Sequence, residues 1–331
     1  MSETLSAERR RRMLVTAFGP TIAAALRDPL VQEIMVNPDG RLWLDRLGEG
    51  RSDTGMIYDP AQIERIIRLV ASHARTEVHA GAPIVSAELP PHDEGAGERF
   101  EGVLPPVAIA PCFSIRKPAS RIYTLADYVA DGLIAAAAAG LLARTVAEKR
   151  NILIAGGTSS GKTTLANALL AEMAGLGERI ILIEDTRELQ SAAPDVVALR
   201  TRGEAVTMAD LVRSTLRLRP DRIIVGEIRG REALDMLKAW NTGHPGGIAT
   251  VHANSATAAL FRLEQLTQEA AVTAPRRLIA EAIDIIVYIA GRGLDRRIET
   301  IARVGGLDPD GNYAVFDLTP SGQSSGEEPC A

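Results

Sequence analysis

One stretch of the chain combines residue types and a spacing that suit phosphate chemistry. Residues 151–164 read NILIAGGTSSGKTT, in which an apolar run leads into a glycine turn that fits GxxxxGK[ST]. Glycines let the backbone curl so that successive N–H groups face an anion, and the helix expected next adds its positive N-terminal end. In such a loop the lysine, here Lys162, reaches the β- and γ-phosphates, and the next hydroxyl, that of Thr163, binds Mg²⁺. We therefore expect a nucleoside triphosphate site formed by Gly156, Gly157, Thr158, Ser159, Ser160, Gly161, Lys162, Thr163 and Thr164.

Two acidic sites follow apolar segments further along the chain. Residues 222–227 read RIIVGE, so an apolar strand delivers Glu227, as the Walker B element does in phosphate-loop enzymes. An acid in that position holds Mg²⁺ through water or orients the attacking water molecule. Glu184 and Asp185 follow a second apolar strand, where a capping pair at the next turn is the alternative interpretation. The pattern predicts a Mg²⁺-dependent hydrolase in which Lys162, Glu184 and Glu227 are catalytic and the two glutamates also bind the metal.

Two of the five histidines lie in the segment 242–253, which reads TGHPGGIATVHA. Its glycines allow close approach of the backbone. His252 is placed to hydrogen-bond a γ-phosphate oxygen and to respond to hydrolysis, which makes it a further catalytic candidate. His244 is a second candidate for the nucleotide site, and a structural role is the alternative for both histidines. No cysteine or third histidine lies nearby in the sequence, so we do not expect these histidines to bind a metal.

The elements that must position these groups follow a recurring pattern. From residue 151 onward, apolar strands alternate with amphipathic helices. This alternation is typical of a parallel sheet covered on both faces, an α/β arrangement. Functional groups of such sheets gather beyond the carboxyl ends of the strands. The candidates that fall there are Glu184, Asp185, Glu227 and His252.

The first part of the chain predicts a smaller α+β module. A helix at residues 4–27 precedes a hairpin around the turn NPDG, and Pro60 begins an amphipathic helix. Short strands separated by proline- and glycine-rich turns follow. We divide the chain into an N-terminal α+β domain (1–123), an alanine-rich helical connector (124–147), an α/β phosphate-loop domain (148–318) and a disordered polar tail (319–331).

Composition indicates an ordinary globular chain of 331 residues with 46% hydrophobic residues and a net charge of −5. The acidic balance and the scarcity of aromatic residues argue against direct nucleic-acid binding. No apolar segment approaches the ~20 residues that span a bilayer, and the N-terminus does not read as a signal peptide, so we expect a cytoplasmic protein. Residues 9–12 are four arginines, which suit either peripheral contact with anionic lipid or a solvated helix face.

Several motif runs together resemble a known family. The runs are GGTSSGKTT, IEDTREL, LRLRPDRIIVGEIRG and NTGHPGGIATVHANS. They are similar to the secretion ATPases of conjugative type IV secretion systems, within the superfamily of type II/IV secretion NTPases. In the first module, VNPDGRLWLDR and GERFEGVLPPV also fit the P-type conjugal transfer ATPases of the Trb system. The resemblance covers nearly the whole chain.

This resemblance implies a C-terminal RecA-like ATPase domain that binds ATP and Mg²⁺ after a smaller α+β domain. It also implies a homohexameric ring that works with type IV secretion machinery at the inner membrane. The family's site residues are matched by Lys162 and Thr163 in the Walker A motif, Glu184 and Asp185 in the Asp box, Glu227 in the Walker B motif and His252 in the His box.

The same resemblance implies that arginines of both modules contact the nucleotide. Arg99 and Arg116 resemble N-domain arginines that reach the phosphates as the ring closes, whereas their spacing alone is that of ordinary surface charges. Arg213, Arg217 and Arg219 lie in a matching stretch before the Walker B strand, and which of them contacts nucleotide is left open.

The leading interpretation is an ATP-hydrolysing motor that powers pilus assembly or substrate transfer across the cell envelope. A type II secretion or type IV pilus ATPase is an alternative, although its secretion members commonly carry a tetracysteine zinc insert and this chain has only Cys112 and Cys330. A nucleotide-gated scaffold with little hydrolysis is another, and Glu227 argues against it. A nucleic-acid translocase is disfavoured by composition.

Overall fold

The computed structural model describes residues 2–90, 97–118, 122–203, 205–291 and 293–320, without the side chains of residues 2–10 and of Leu294. The chain forms two compact units, Met1–Arg121 with Thr186–Glu188, and Ile122–Asp185 with Leu189–Ala331. Most of the predicted tail, residues 321–331, lies outside the described residues, as do the side chains of Arg9 and Arg10. No helix in the described part of the chain is long and apolar enough to cross a membrane.

The described residues of the first unit form helices over one antiparallel sheet. In chain order its elements are α1 (Ser2–Arg27), β1 (Val31–Val36), β2 (Arg41–Arg46), β3 (Gly50–Ile57), α2 (Pro60–Ala74), β4 (Ile84–Glu88), β5 (Arg99–Val103) and β6 (Cys112–Arg116). The strand order is β3-β2-β1-β6-β5-β4, and every neighbouring pair is antiparallel. The predicted N-terminal helix is found as α1, interrupted at Gly19, whose φ of 78° is not helical and which precedes Pro20.

The amphipathic helix predicted from Pro60 is confirmed as α2. The side chain of Asp59 accepts a hydrogen bond from the N–H of Ala61, which satisfies one of the donors exposed at a helix start. The predicted apolar face is fully buried in the core of this unit, and burial of one such side chain contributes roughly 1.5–3 kcal/mol. Packing of this face against the sheet therefore holds the helix more than local propensity does. The residues of the face are Ile63, Ile66, Ile67 and Val70.

The second unit contains the predicted alternation of strands and helices. In chain order its described elements are α3 (Leu125–Ala130), α4 (Ala136–Ala147), β7 (Ile152–Gly156), α5 (Lys162–Met173), β8 (Ile180–Glu184), β9 (Val196–Arg200), α6 (Met208–Thr215), β10 (Arg222–Val225), α7 (Glu232–Asn241), β11 (Ile248–His252), α8 (Ala256–Gln268), α9 (Arg276–Ala282), β12 (Ile285–Ala290), β13 (Arg297–Leu307) and β14 (Tyr313–Asp317). A 3₁₀ turn at Gly293–Asp295 lies between β12 and β13.

These strands form an eight-stranded sheet in the order β14-β13-β12-β7-β11-β10-β8-β9. The strands from β12 to β9 in this order are parallel, and β13 and β14 are antiparallel additions at one edge. All residues of β7, β8 and β10 are buried, as expected for strands with both faces covered. One face packs against α6 to α9 and the other against α3 to α5. The predicted parallel sheet with two covered faces is confirmed.

One buried side chain at the amino edge of this sheet fixes the central strands. Asn151 accepts a hydrogen bond from the N–H of Gly247 at 2.9 Å and donates one to the carbonyl oxygen of Ala282 at 2.8 Å. It thereby holds the start of β7 beside the start of β11. Because β7, β11, β10 and β8 are adjacent and parallel, their carboxyl ends meet at the opposite edge.

The segment 124–147, predicted as a connector, lies within the second unit. The hydroxyl of Thr124 and the carboxylate of Asp127 form a reciprocal capping box at the start of α3. Tyr128 and Leu142 are buried with Leu169 of α5 in one apolar core. The alanine-rich helices are therefore held by packing against this sheet, which the high helix propensity of the segment does not reveal.

Candidate active site

The loop between β7 and α5 has a conformation that leaves backbone donors available for an anion. Ser159 and Gly161 have positive φ angles of 60° and 92°. A Cβ on Gly156 would lie 2.5 Å from Oγ of Ser160, so only glycine fits there. The helix α5 begins at Lys162 with no side-chain cap and no acidic residue in its first turn. The first N–H groups of this helix can therefore donate hydrogen bonds to a bound group, and the helix dipole favours an anion there.

Two buried side chains of this loop point to a ligand. The ammonium of Lys162 donates hydrogen bonds to the carbonyl oxygens of Gly157 at 2.8 Å and Gly156 at 3.2 Å, and its Nζ lies 3.3 Å from Nδ1 of His252. Ser160 is 2% exposed, and its Oγ has no hydrogen-bond partner among the described residues. Buried hydroxyls are ordinarily satisfied, so this one is suited to a group that the chain does not supply.

His252 bridges the lysine and the predicted catalytic glutamate. It is the last residue of β11 and lies opposite Gly156 of β7. Its Nε2 is 2.8 Å from Oε1 of Glu227, which follows β10 on the other side of β11. The contact does not meet hydrogen-bond geometry, so Oε1 is buried without a hydrogen-bond partner among the described residues. The structure thus brings together Lys162, His252 and Glu227, as the strand-end argument predicts.

The charges around these three groups set their protonation. Burial lowers the pKa of His252, the positive charge of Lys162 lowers it further, and Glu227 opposes both. Burial by itself would raise the pKa of Glu227, but its hydrogen bond to Arg229 and the nearby positive charges bring it below the ordinary value. A neutral imidazole therefore faces a charged lysine through Nδ1 and an ionised glutamate through Nε2.

Backbone contacts from β11 hold Glu227 beside His252. The hydroxyl of Thr250 donates to the carbonyl oxygen of Gly226 at 2.7 Å, and the N–H of Ile228 donates to the carbonyl oxygen of Thr250 at 2.9 Å. The residues on both sides of Glu227 are thus bound to the neighbouring strand. Sequence reasoning missed Thr250, and the available signal was a hydroxyl in the middle of an otherwise apolar strand.

Arg229 is a second residue that sequence reasoning missed. Its Nη2 donates to Oε2 of Glu227 at 2.7 Å, and its Nη1 lies 3.8 Å from Oδ2 of Asp185. The carboxylate of Glu232 accepts hydrogen bonds from the N–H groups of Arg229 and Gly230 at 2.7 and 2.8 Å, which fixes this turn. The arginine therefore holds one oxygen of Glu227 and leaves the other, Oε1, facing His252.

The predicted acidic pair at the end of β8 is divided between two environments. Glu184 is 4% exposed, and its Oε1 accepts a hydrogen bond from the N–H of Leu189 at 2.7 Å. Asp185 is more exposed and accepts a hydrogen bond from the hydroxyl of Thr201 at 2.9 Å. Because β8 lies beyond β10 in the sheet, Glu184 is one strand farther from the phosphate loop than Glu227.

His244 lies at the other end of the sheet. It precedes β11, whereas His252 ends that strand, and a five-residue strand spans about 16 Å at roughly 3.3 Å per residue. The neighbouring Gly246 contacts Arg222 and Lys149 at the amino ends of β10 and β7. Within one chain the strand therefore separates the two histidines of this motif, and the assignment of His244 to the nucleotide site stays a prediction.

Arg99 and Arg116 lie in the first unit, directly opposite each other on β5 and β6. Cross-strand partners in register share a face of the sheet, so the two guanidinium groups are neighbours. Acidic residues flank the pair, because Glu88 is opposite Arg99 and Glu33 is opposite Arg116. Oε1 of Glu33 is 4.0 Å from Nε of Arg116. The flanking carboxylates reduce the repulsion that two adjacent cations would otherwise cause.

The three arginines before β10 are not equivalent. Nη2 of Arg213, on α6, lies 2.9 Å from Oδ2 of Asp235 on α7, which ties these helices together. Arg217 and Arg219 are exposed, and Arg219 has a positive φ of 55°. Arg213 is thus already paired within the fold, whereas the other two present their side chains to solvent.

The groups at this edge fit a magnesium nucleotide. The uncapped helix and Oγ of Ser160 suit phosphate oxygens, and Oε1 of Glu227 suits a water molecule held by a metal ion. Thr163 adds a hydroxyl in the first turn of α5. Within the described ranges, no group of three or more histidine, cysteine, aspartate or glutamate side chains could form a metal cage by itself. Magnesium usually binds one or two carboxylates together with phosphates, so this donor set suits it.

Known proteins are similar to this chain in sequence or in fold. The family of type II/IV secretion system proteins matches residues 19–300. Conjugal transfer protein TrbB of Rhizobium radiobacter is 46% identical over 308 residues, which cover 92% of this chain and 94% of that protein. Type IV secretion system protein VirB11 of Bartonella quintana is 32% identical over 325 residues, covering 83% and 88%. The solved structure of the Legionella pneumophila ATPase DotB has a TM-score of 0.59 at 17% identity, covering 90% of this chain and 81% of that one.

The strand order and the glycine loop after β7 define an α/β protein with a RecA-like P-loop NTPase domain and a smaller α+β unit. The fold class predicted from the sequence is confirmed. The sequence matches show the family in addition to the fold. This chain belongs to the type II/IV secretion system protein family, so the predicted resemblance is confirmed as well.

Proposed function

We propose that this chain is an ATP-hydrolysing motor of a conjugative type IV secretion system, powering pilus assembly or substrate transfer across the cell envelope. The convergence of Lys162, His252 and Glu227 at one edge of a parallel sheet carries the proposal. The names of two relatives, a conjugal transfer protein and a type IV secretion protein, support the assignment to conjugation and secretion.

ATP is the substrate in this proposal, and the phosphate loop holds it. The N–H groups of the loop and of the first turn of α5 bind the phosphate oxygens, with Lys162 reaching the β- and γ-phosphates. Magnesium, when bound, neutralises charge on the same oxygens. Thr163, Glu227 and Glu184 are the residues that would hold it.

Glu227 is the group that orients the attacking water. Arg229 keeps this carboxylate ionised, and Thr250 fixes its backbone. The carboxylate is therefore already in position before the reaction and does not have to be reoriented during it. His252 faces Glu227 through Nε2 and Lys162 through Nδ1, so it responds to changes at either group. Glu184 supports this arrangement from the next strand, and Asp185 acts through Arg229.

The arginine pair of the first unit is assigned to the triphosphate. A guanidinium binds phosphate oxygens through two parallel hydrogen bonds, and two adjacent guanidinium groups form a strong anion site. We assign Arg99 and Arg116 to the γ-phosphate, in keeping with the resemblance that first singled them out.

The proposed assembly is a homohexamer within type IV secretion machinery at the inner membrane, without direct nucleic-acid binding. Peripheral contact with the membrane is part of the same proposal. Mass measurement at micromolar concentration, with and without ATP and Mg²⁺, tests the assembly. Six copies of the 35.3 kDa chain are expected with nucleotide, and a mass that stays at one copy would contradict the ring.

Steady-state hydrolysis and nucleotide binding test the activity. The wild-type chain should hydrolyse ATP only with Mg²⁺, and Lys162→Ala should abolish turnover and greatly weaken nucleotide binding. Lys238→Ala is a suitable control, because this lysine is exposed on α7, away from the phosphate loop. Near-normal turnover by Lys162→Ala would overturn the proposal.

A further inference from the structure

Arg296, which lies between the 3₁₀ turn and β13 in the second unit, packs against the phosphate loop. Nη1 of Arg296 would be 2.5 Å, and its Cδ 2.9 Å, from a Cβ placed on Gly161. The guanidinium therefore lies directly over the glycine that precedes α5. The sheet explains this placement, because β12 is parallel to β7 with Ile289 opposite Gly156, and the chain turns back just beyond that point.

The position of Arg296 is unfavourable for a cation within the fold. A positive charge at a helix N-terminus opposes the helix dipole, and the ammonium of Lys162 adds a second positive charge to the same loop. Among the described residues, Arg296 has no carboxylate within ion-pair distance, and its Nε is buried without a hydrogen-bond partner. No carboxylate of the described residues thus compensates the positive charge over Gly161.

A second unsatisfied group lies in the same loop. Oγ of Ser160 is buried and unpartnered, and the residue is 2% exposed. Among the described residues, Oγ of Ser160 and Nε of Arg296 are both buried without a hydrogen-bond partner around one glycine turn, and together they are complementary to a polyanion. We propose that Arg296 is a phosphate-binding residue of the nucleotide site, which goes beyond the proposed function but rests on it.

The location of Arg296 indicates which phosphates it contacts. The backbone of a phosphate loop cradles the α- and β-phosphates, whereas its lysine reaches the β- and γ-phosphates. Nζ of Lys162 contacts the carbonyl oxygen of Gly157 and lies 3.3 Å from Nδ1 of His252, whereas Arg296 covers Gly161. Arg296 thus binds oxygens that ADP and ATP share, so it contributes to affinity and does not discriminate between them.

Binding of three probes to the full chain tests this assignment. Arg296→Met keeps the aliphatic packing and removes the charge, so the dissociation constants for ADP and ATP should both rise about tenfold, equivalent to about 1.4 kcal/mol. The dissociation constant for inorganic pyrophosphate should rise by the same factor. Arg296→Lys should retain most of the affinity. The control is Arg297→Met, at an exposed arginine that pairs with Glu299 at 2.8 Å and should bind all three probes normally.

Several outcomes would overturn the proposal. Unchanged affinities in Arg296→Met would show that the arginine only covers the loop, and equal losses in Arg296→Lys and Arg296→Met would show that packing, not charge, matters. A loss for ADP without one for pyrophosphate would place Arg296 at the base or ribose. Lys162→Ala, measured in parallel, separates this inference from the proposed function. Normal ADP binding by Lys162→Ala would undermine the function itself, whereas weak binding there with normal binding in Arg296→Met would refute this inference alone.

Discussion

Nε2 of His252 lies 2.8 Å from Oε1 of Glu227, while Nδ1 of the same ring faces the ammonium of Lys162 at 3.3 Å. One neutral imidazole therefore separates the lysine of the phosphate loop from the acid that follows β10. Parallel pairing of β7, β11 and β10 produces this order, since His252 ends the strand between the other two. The arrangement couples the protonation of the ring to both neighbours.

The first prediction concerns pH. Because burial and the charge of Lys162 hold the pKa of His252 below its ordinary value of 6.5, the ring stays neutral at pH 7. The unfolded chain takes up this proton more readily, so stability from the neutral ring is complete above the unfolded pKa and declines as the pH falls below it. The rate of hydrolysis should change in the same direction. It should be constant near neutral pH and should decrease as the pH falls.

A pH–rate profile of the wild-type chain and of His252→Gln checks this expectation. The glutamine variant should be slower but should lack that acid limb, since an amide does not titrate. His79→Gln, at an exposed histidine of the first unit, serves as the control. An identical acid limb in His252→Gln would assign the titration to another group.

The second prediction separates the two glutamates at the strand ends. Glu227→Gln should still bind ATP and Mg²⁺ but lose about 10²-fold or more in turnover, because the amide lacks the charge that orients water. Glu184→Gln should be less severe, since one oxygen of Glu184 already accepts the N–H of Leu189. Single-turnover hydrolysis and equilibrium binding give both quantities. A fully active Glu227→Gln beside an inactive Glu184→Gln would transfer the catalytic role to the earlier acid.

The third prediction concerns the arginine pair of the first unit. If Arg116 binds the γ-phosphate, Arg116→Ala should bind ADP almost normally, bind ATP more weakly and hydrolyse on the order of 10³-fold more slowly. Calorimetry with each nucleotide measures the difference. Arg41→Ala is the matched control, because Arg41 is exposed in the same sheet and pairs with Asp53 at 2.8 Å. Equal weakening for both nucleotides would show that Arg116 binds a group that ADP and ATP share. Unchanged affinities would show that Arg116 is an ordinary surface charge.

The fourth prediction concerns stability at the amino edge of the second sheet. Arg222, the first residue of β10, is fully buried and pairs with Glu178, whose Oε1 also lies 2.6 Å from Nζ of Lys149. Arg222→Met leaves the carboxylate without its buried partner and should lower the free energy of unfolding by about 3 kcal/mol or more. Arg277→Met removes an exposed pair with Glu281 and should cost about 0.5 kcal/mol or less.

Denaturant unfolding followed by the fluorescence of Trp240, buried in the same unit, measures both variants in a Trp43→Phe background. Burial would raise the pKa of Glu178, but Arg222 and Lys149 hold it below 4.5. The contribution of the pair is therefore present above the unfolded pKa and lost as the pH falls, so the two variants should converge in acid. Equal costs at neutral pH would show that burial adds nothing to the Arg222 pair.

Local patterns in the sequence were sufficient for several parts of this protein. The glycine spacing of the phosphate loop, the apolar strands that end in Glu227 and His252, and the buried face of α2 each follow from residue type and period. By contrast, β3 has exposed residues at nearly every position, so it shows no alternation that would reveal a strand. Pairing with β2 alone makes it part of the sheet.

Relations between distant segments depended on the tertiary structure. The sequence by itself determined that two histidines share one glycine-rich motif, but the direction of β11 decided that only His252 reaches the loop. It likewise determined the phosphate loop, whereas the pairing of β12 with β7 placed Arg296 over Gly161. The physical reason is that strand order and direction arise from packing between segments far apart in the chain, and a local pattern carries no record of those contacts.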